Sequence, residues 1–249
     1  MLKEIRLKLI LEELDKSDYV KISTLQELLG CTEMTIWRDL KTLSDKGLIN
    51  RIHGGAKRIN TKVQPTDILY TQHILKNLDK KRVIAHKAAN LIVENDIIFI
   101  SAGSTNELIA DYLSAKNFRI VTNSSSIYRQ YYDNPDVDAL LIGGKYHKRQ
   151  SSFLGPIAND VLSNMNFTKA FMGTNGISQN KCSASNDEEG VLYRIVLNNA
   201  VAKYVLCDTT KFNKDAFYNF YSCDKLTAII TDEGHIEDRA LYEGYTMLL

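Results

Sequence analysis

An α/β chain of two domains is predicted by three observations. Residues 1–60 carry three short helical patterns and end in a Gly-Gly hairpin. Residues 75–249 alternate apolar runs with helical patterns. The polar stretch Asn60-Thr61-Lys62-Val63-Gln64-Pro65-Thr66-Asp67 has no periodicity and opens a linker over 61–74. Three helices followed by a hairpin make a winged helix-turn-helix. Strands alternating with helices require crossovers, hence a Rossmann-like, mostly parallel sheet covered on both faces.

In the first domain, Leu2, Ile5, Leu9 and Ile10 form an apolar stripe at helical spacing. Ser23 or Thr24 caps a second helix bearing Leu25, Leu28 and Leu29, which Gly30 stops. Thr32 caps a third helix that runs to Lys46 and ends at Gly47. Its apolar face is Ile36, Leu40 and Leu43, and its other side shows Thr35, Trp37, Arg38 and Lys41. Two short strands, 48–52 and 56–59, flank His53-Gly54-Gly55. In the second domain the pattern predicts helices over 80–94, 105–115, 125–133, 156–164 and 187–201. Strands fall at 97–101, 119–122, 137–142, 145–153, 168–173, 203–207 and 226–231.

Composition narrows the function class. A chain that is 44% hydrophobic and 24% charged is globular, not disordered or fibrous. Cys31, Cys182, Cys207 and Cys223 form no CxxC pair and have no histidine at ligand spacing, which argues against a zinc site and a disulfide framework. Neither a signal peptide nor an apolar span is present, so a cytoplasmic protein with no membrane partner is expected. The net charge of +1 says nothing about partners, so the signal must be local.

That local signal lies at 34–62. Arg38, Lys41, Lys46, Arg51, Lys57, Arg58 and Lys62 stand there against Asp39 and Asp45. Cations gather where phosphates are neutralised, here on the third helix and the wing. Thr35, Trp37, Arg38, Lys41, Arg51, His53, Lys57 and Arg58 are therefore the candidate contacts to double-stranded DNA. The run Cys31-Thr32-Glu33-Met34-Thr35-Ile36-Trp37-Arg38-Asp39-Leu40, then Lys46-Gly47-Leu48-Ile49 and Arg51-Ile52-His53-Gly54-Gly55-Ala56, resembles the signature of the DeoR family. The resemblance implies an operator-binding repressor answering to a sugar phosphate. Trp37 departs from it, standing where the family usually has arginine.

Small, hydroxylated turns recur after the strands of the second domain: Gly103-Ser104-Thr105, Thr122-Asn123, Gly143-Gly144-Lys145, Gly173-Thr174-Asn175-Gly176 and Asp208-Thr209-Thr210-Lys211. Ligands of open parallel sheets bind beyond the carboxyl ends of the strands. Glycines admit close approach, free N–H groups at helix starts attract anions, and Lys211 adds a point charge. These residues, with Glu188, form a candidate pocket for a small phosphorylated metabolite, with no cofactor required. The DeoR resemblance continues through Lys81-Arg82-Val83-Ile84-Ala85, Ile142-Gly143-Gly144, Phe153-Leu154-Gly155-Pro156, Lys169-Ala170-Phe171-Met172-Gly173, Gly176-Ile177, Glu188-Glu189 and Asp208…Lys211-Phe212. It implies a fold similar to sugar-phosphate isomerases. Ser101 departs from it, since the family often has aspartate before the Gly-Ser-Thr turn.

A sugar-phosphate isomerase or deaminase fused to a nucleic-acid module is the alternative. An isomerase needs a positioned base. The related isomerases carry acidic residues where this chain has Gly173-Thr174-Asn175-Gly176, none of which titrates near neutrality. Asp187-Glu188-Glu189 reads as the negatively charged first turn of a helix. A sensor is therefore preferred to an enzyme. Operators mirror protein symmetry, so a dimer or tetramer is expected.

Overall fold

The computed structural model describes residues 3–17, 19–45, 48–52, 54–58 and 76–249. The chain divides into two compact units, Met1–Ile68 and Leu69–Leu249. The expected linker at 61–74 lies outside the described residues.

In the first unit, helix α1 (Lys3–Ser17) leads through strand β1 (Tyr19–Lys21) into α2 (Ile22–Leu29) and α3 (Glu33–Asp45). Strands β2 (Ile49–Ile52) and β3 (Gly55–Arg58) follow, in an antiparallel sheet of order β1-β3-β2. Ile36, Leu40 and Leu43 are buried as their spacing predicts, against Ile10, Leu14, Leu25 and Leu29. Burying such side chains stabilises by about 1.5–3 kcal/mol each. The stripe of α1 needs correction. Ile10 and Leu14 are its buried row, whereas Ile5 is 48% exposed and Leu9 only half-buried, because the second half of α1 meets the core. Leu2 lies outside the described residues. Leu28 is exposed because Ile22, Leu25 and Leu29 form the inward row of α2.

The start of α2 is also earlier than expected. Neither Ser23 nor Thr24 caps it, because Lys21 ends β1 and the Ile22 N–H donates to the Gly54 carbonyl at 3.0 Å. Strand β1 was not legible, having only three residues. The Gly-Gly pair has two different jobs. Gly54 turns the hairpin with φ 77°, while Gly55 belongs to β3, where a Cβ would sit 2.2 Å from the Val20 carbonyl oxygen. Only glycine lets β3 approach β1 so closely.

The second unit is built on seven parallel strands. These are β4 (Ile97–Ile100), β5 (Phe118–Thr122), β6 (Val137–Leu141), β9 (Phe167–Gly173), β12 (Ala200–Leu206), β14 (Ala228–Ile230) and β15 (Met247–Leu248). Their order is β15-β14-β12-β9-β4-β5-β6. Both faces are apolar, as a buried parallel sheet demands. Phe99, Val121, Met172 and Val205 point to one core, with helices α6 (Pro156–Ser163) and α7 (Asp187–Asn198). Ile98, Ile100, Ile120, Phe171 and Leu206 point to the other, with α4 (Leu78–Ala89) and α5 (Ser125–Tyr131). A short helix, α8 (Arg239–Glu243), precedes β15.

Several boundaries move for physical reasons. The helix expected at 105–115 is a 3₁₀ helix, Asn106–Asp111. The buried Asn106 amide donates to the carbonyls of Ser101 and Phe171, which ties that turn tightly to β4 and β9. The helix expected at 80–94 stops at Ala89, and Asp96 then accepts the Val93 N–H at 2.8 Å to turn the chain into β4. The strand expected at 145–153 is a hairpin, β7 (Lys145–His147) with β8 (Ser152–Leu154), reversed where Ser151 takes φ 49°. The helix expected at 187–201 ends at Asn198, so β12 starts at Ala200. A second antiparallel sheet, β10 (Gly176–Ser178), β11 (Lys181–Ala184) and β13 (Tyr218–Ser222), was missed because its strands are short and polar.

Candidate functional site

The cationic face of the first unit is set by the buried face of α3. With Ile36, Leu40 and Leu43 inward, Arg38 and Lys41 are exposed. Thr35 is half-buried, its hydroxyl 3.0 Å from that of Thr32. Trp37 packs on the edge of the core, donates its indole N–H to Glu33 at 3.2 Å and carries the Arg51 guanidinium 5.0 Å over its ring. Lys57 is exposed on β3. His53 and the side chain of Arg58 lie outside the described residues, as do Gly47, Lys46 and Lys62.

The sequence count understated how cationic this face is. Asp39, one of its two acids, is 1% exposed and turned inward. Its two oxygens accept from Arg6 Nε at 2.6 Å and Nη2 at 3.2 Å. Charge-assisted, two-point pairing of this kind suits a buried carboxylate. The acid is thereby neutralised on the core side, away from Arg38 and Lys41.

In the second unit the strand order reverses between β4 and β9, where the chain stops adding strands on one side and begins on the other. The carboxyl ends of those two strands form the crevice in which open α/β sheets hold ligands. Around it the polar side chains are buried: Ser101, Asn106, Thr122, Asn123, Asp208 and Thr209.

Some of the expected pocket residues are open. Gly103, with φ 150°, has no atom within 4 Å of where a Cβ would lie, and neither has Gly143. Ser104 and Thr105 are half-buried at the same turn, and Lys211 is half-buried after β12. Others are engaged within the protein. The Thr122 hydroxyl donates to the Ile100 carbonyl at 2.7 Å. Asn123 accepts from the Ala102 N–H at 3.1 Å and donates to the Phe153 carbonyl at 3.1 Å. The Gly173 N–H donates to Ser101 Oγ at 3.1 Å, so Ser101 joins β4 to β9 from a fully buried position. Asn175 accepts from the Ser185 N–H at 3.0 Å, and Gly176 is buried in β10. Gly144 serves the hairpin, with φ 152° and a would-be Cβ 2.7 Å from the Leu154 carbonyl oxygen. Lys145 pairs with Glu188 at 3.1 Å. Asn186 caps α7 by accepting the Glu189 N–H, which makes Asp187-Glu188-Glu189 its acidic first turn.

The residue that sequence reasoning passed over is Lys81. It occupies the inward row of α4 with Ile84, Ala85 and Ala88, and is only 6% exposed. Burial pushes its amine down to about 8, against the opposing pull of Asp208 and Glu107 and with the like charge of Lys211 acting in the same downward sense. Asp208 and Lys211 thus both act on Lys81 beside the end of β12. Asp208 accepts from the Thr210 N–H at 3.0 Å and from Asn77 at 3.3 Å. Next to it, Lys80 pairs with Asp232 at 3.2 Å and hydrogen-bonds Thr209. Burial opposes ionisation of Asp232, but the Thr209 N–H and Lys80 outweigh it and hold the carboxyl below its usual range. A lysine at an apolar helix position was the signal available in the sequence. Among the described residues no three His, Cys, Asp or Glu side chains converge as a metal site. No described helix is long and apolar enough to cross a membrane.

Family profiles match both units: the DeoR-like helix-turn-helix domain at residues 6–62 and the DeoR C terminal sensor domain at 76–233. The lactose phosphotransferase system repressor of Lactococcus lactis is 36% identical over 256 residues, spanning 100% of this chain and 99% of that protein. The repressor of the same name from Streptococcus mutans is 34% identical over 234 residues, 93% of each chain. Among solved structures, the chain overlaps ribose 5-phosphate isomerase A from Neisseria gonorrhoeae at a TM-score of 0.38 with 18% identity, over 53% of this chain and 52% of that one. It overlaps eIF2B delta from Chaetomium thermophilum at 0.47 with 17% identity, over 68% and 60%.

Proposed function

The chain belongs to the DeoR family, and from that premise we propose that it represses sugar-metabolism genes by binding double-stranded operator DNA under the control of a sugar phosphate. The observation that carries the reading is the inward turn of Asp39, which leaves α3 presenting Arg38 and Lys41, with Arg51 of the wing held over Trp37 of the same helix. Phosphate contacts position such a helix and base-edge contacts specify its site. Residues 1–60 are the DNA-binding domain, 61–74 the linker and 75–249 the sensor. The relatives are named repressors, so the isomerase alternative is not favoured.

The effector site in this reading is the crevice at β4 and β9. Gly103-Ser104-Thr105 supplies open backbone and hydroxyls, and Lys211 with Lys81 supplies charge. An anionic ester favours the protonated form of Lys81, which the free protein disfavours. Thr122, Asn123, Ser101 and Gly173 hold the crevice walls rather than the ligand. Effector and DNA are coupled by linkage, each altering the affinity of the other through the domain that both bias. Operator symmetry implies a homodimer or tetramer, at work in the cytoplasm.

Arg38→Ala is expected to weaken operator binding by at least about 1 kcal/mol with the fold intact, measured by gel-shift titration at fixed salt. Unchanged affinity would remove α3 as the reader. Lys211→Ala is expected to abolish the effector response and spare operator binding. A mutant that still responds at the wild-type effector concentration puts Lys211 outside the site. The reading as a whole is tested by a melting-point screen of sugar phosphates against their unphosphorylated parents. Equal shifts from both classes, or none from either, would sink it.

A further inference from the structure

The chain has a single tryptophan, and it lies on the DNA-facing side of α3 without being free to read a base. Trp37 is half-buried, packed on the core edge and held by its indole N–H to Glu33, one turn back on the same helix. Its ring face is occupied by Arg51, which comes from β2, the edge strand of the wing. We infer that Trp37 is a positioning residue: it clamps Arg51 across the junction of recognition helix and wing, and so presents Arg51 to a backbone phosphate of the duplex. The inference deepens the DNA-binding reading and rests on it.

Three observations support this. Arg51 is exposed, and among the described residues it has no carboxylate partner, so the ring is what orders its long side chain. A guanidinium held over a ring by its charge keeps N–H donors in the fork that matches a phosphate. Trp37 itself is anchored from two sides, by the core and by Glu33, so it orients Arg51 rather than following it. Thr35, Arg38 and Lys41 remain to reach the groove.

The test uses the full chain and a fluorescein-labelled duplex of mixed sequence, since phosphate contacts do not depend on sequence. Without DNA, Arg51→Ala should uncover the ring and make acrylamide quench the single tryptophan emission more steeply. Unchanged quenching overturns the clamp. With DNA, the slope of log affinity against log salt should fall in magnitude by about one in Arg51→Ala and by as much in Trp37→Ala. The double variant should lose no more than either single one, and Trp37→Phe, which keeps a ring face, should retain the wild-type slope. Losses that sum in the double variant, or a wild-type slope in Trp37→Ala, overturn the inference. If Trp37→Ala does not fold, the quenching and Trp37→Phe arms decide. A wild-type chain with no salt-dependent binding sinks the DNA reading itself. Wild-type binding with an undiminished slope in Arg51→Ala sinks the clamp alone.

Discussion

Asp39→Ala is expected to destabilise the first unit by about 3–5 kcal/mol, the usual cost of removing one partner of a buried ion pair. Asp39 is 1% exposed, and Arg6 loses the carboxylate that two of its nitrogens address. The guanidinium is itself largely buried, at 13% exposure, so water compensates little for the loss. A loss of that size approaches the whole stability of a small domain. It should appear as a lowered urea midpoint in the emission of Trp37, which reports this unit alone because the chain has no other tryptophan. Operator binding should fall with it, although Asp39 is turned into the core. A midpoint within experimental error of the wild type would show that the pair contributes nothing and that Arg6 finds other solvation.

Lys81→Met is expected to have the opposite sign. At pH 7 the variant should be more stable, by no more than about 3 kcal/mol, while losing the melting shift that a sugar phosphate produces in the wild type. In the folded chain the amine titrates at about 8, below its ordinary 10.5, because burial disfavours its charge. Between those two values the unfolded chain binds more protons than the folded one, so wild-type stability rises with pH there. Below about pH 8 the folded protein carries the full cost of the buried cation. Above 10.5 the amine is neutral in both states and the cost is gone. The advantage of the methionine variant should therefore be constant near neutrality and vanish between pH 8 and 10.5, followed by circular dichroism of the larger unit. A variant less stable than the wild type at pH 7 would mean that the attraction of Asp208 and Glu107 outweighs burial. A stabilising substitution that abolishes ligand response is the mark of a site kept for function at the expense of stability.

The architecture was largely legible in the sequence because hydrophobic periodicity is a local property. Ile36, Leu40 and Leu43 face one way on any helix, and Ile98, Phe99 and Ile100 alternate on any strand. Strand ends could be read as well, since Gly103-Ser104-Thr105 and Asp208-Thr209-Thr210-Lys211 follow apolar runs directly. Some strands of two to five residues escaped, among them β1, β11 and β15, because they lack an unbroken apolar run and their hydrogen bonds come from distant partners. The second half of α1 and the true start of α2 escaped for the same reason. Both are set by what the helix meets, and for α2 that is the Gly54 carbonyl.

The division in the candidate sites follows the same physics. Which residues lie after each strand, and that the third helix is basic, were written in the sequence. Which of those residues are available to a ligand was not. Thr122 and Asn123 have the right chemistry but spend it on Ile100, Ala102 and Phe153. Asp39 counts as a charge on the DNA-binding helix until Arg6, 33 positions away, takes it into the core. Lys81 looks like a solvated helix lysine until the packing of α4 removes its water and sets it beside Asp208 and Lys211. Local pattern decides which way a side chain points. Desolvation and charge pairing act between residues remote along the chain, so only the folded arrangement decides which polar groups remain for a ligand and which are consumed in holding the fold.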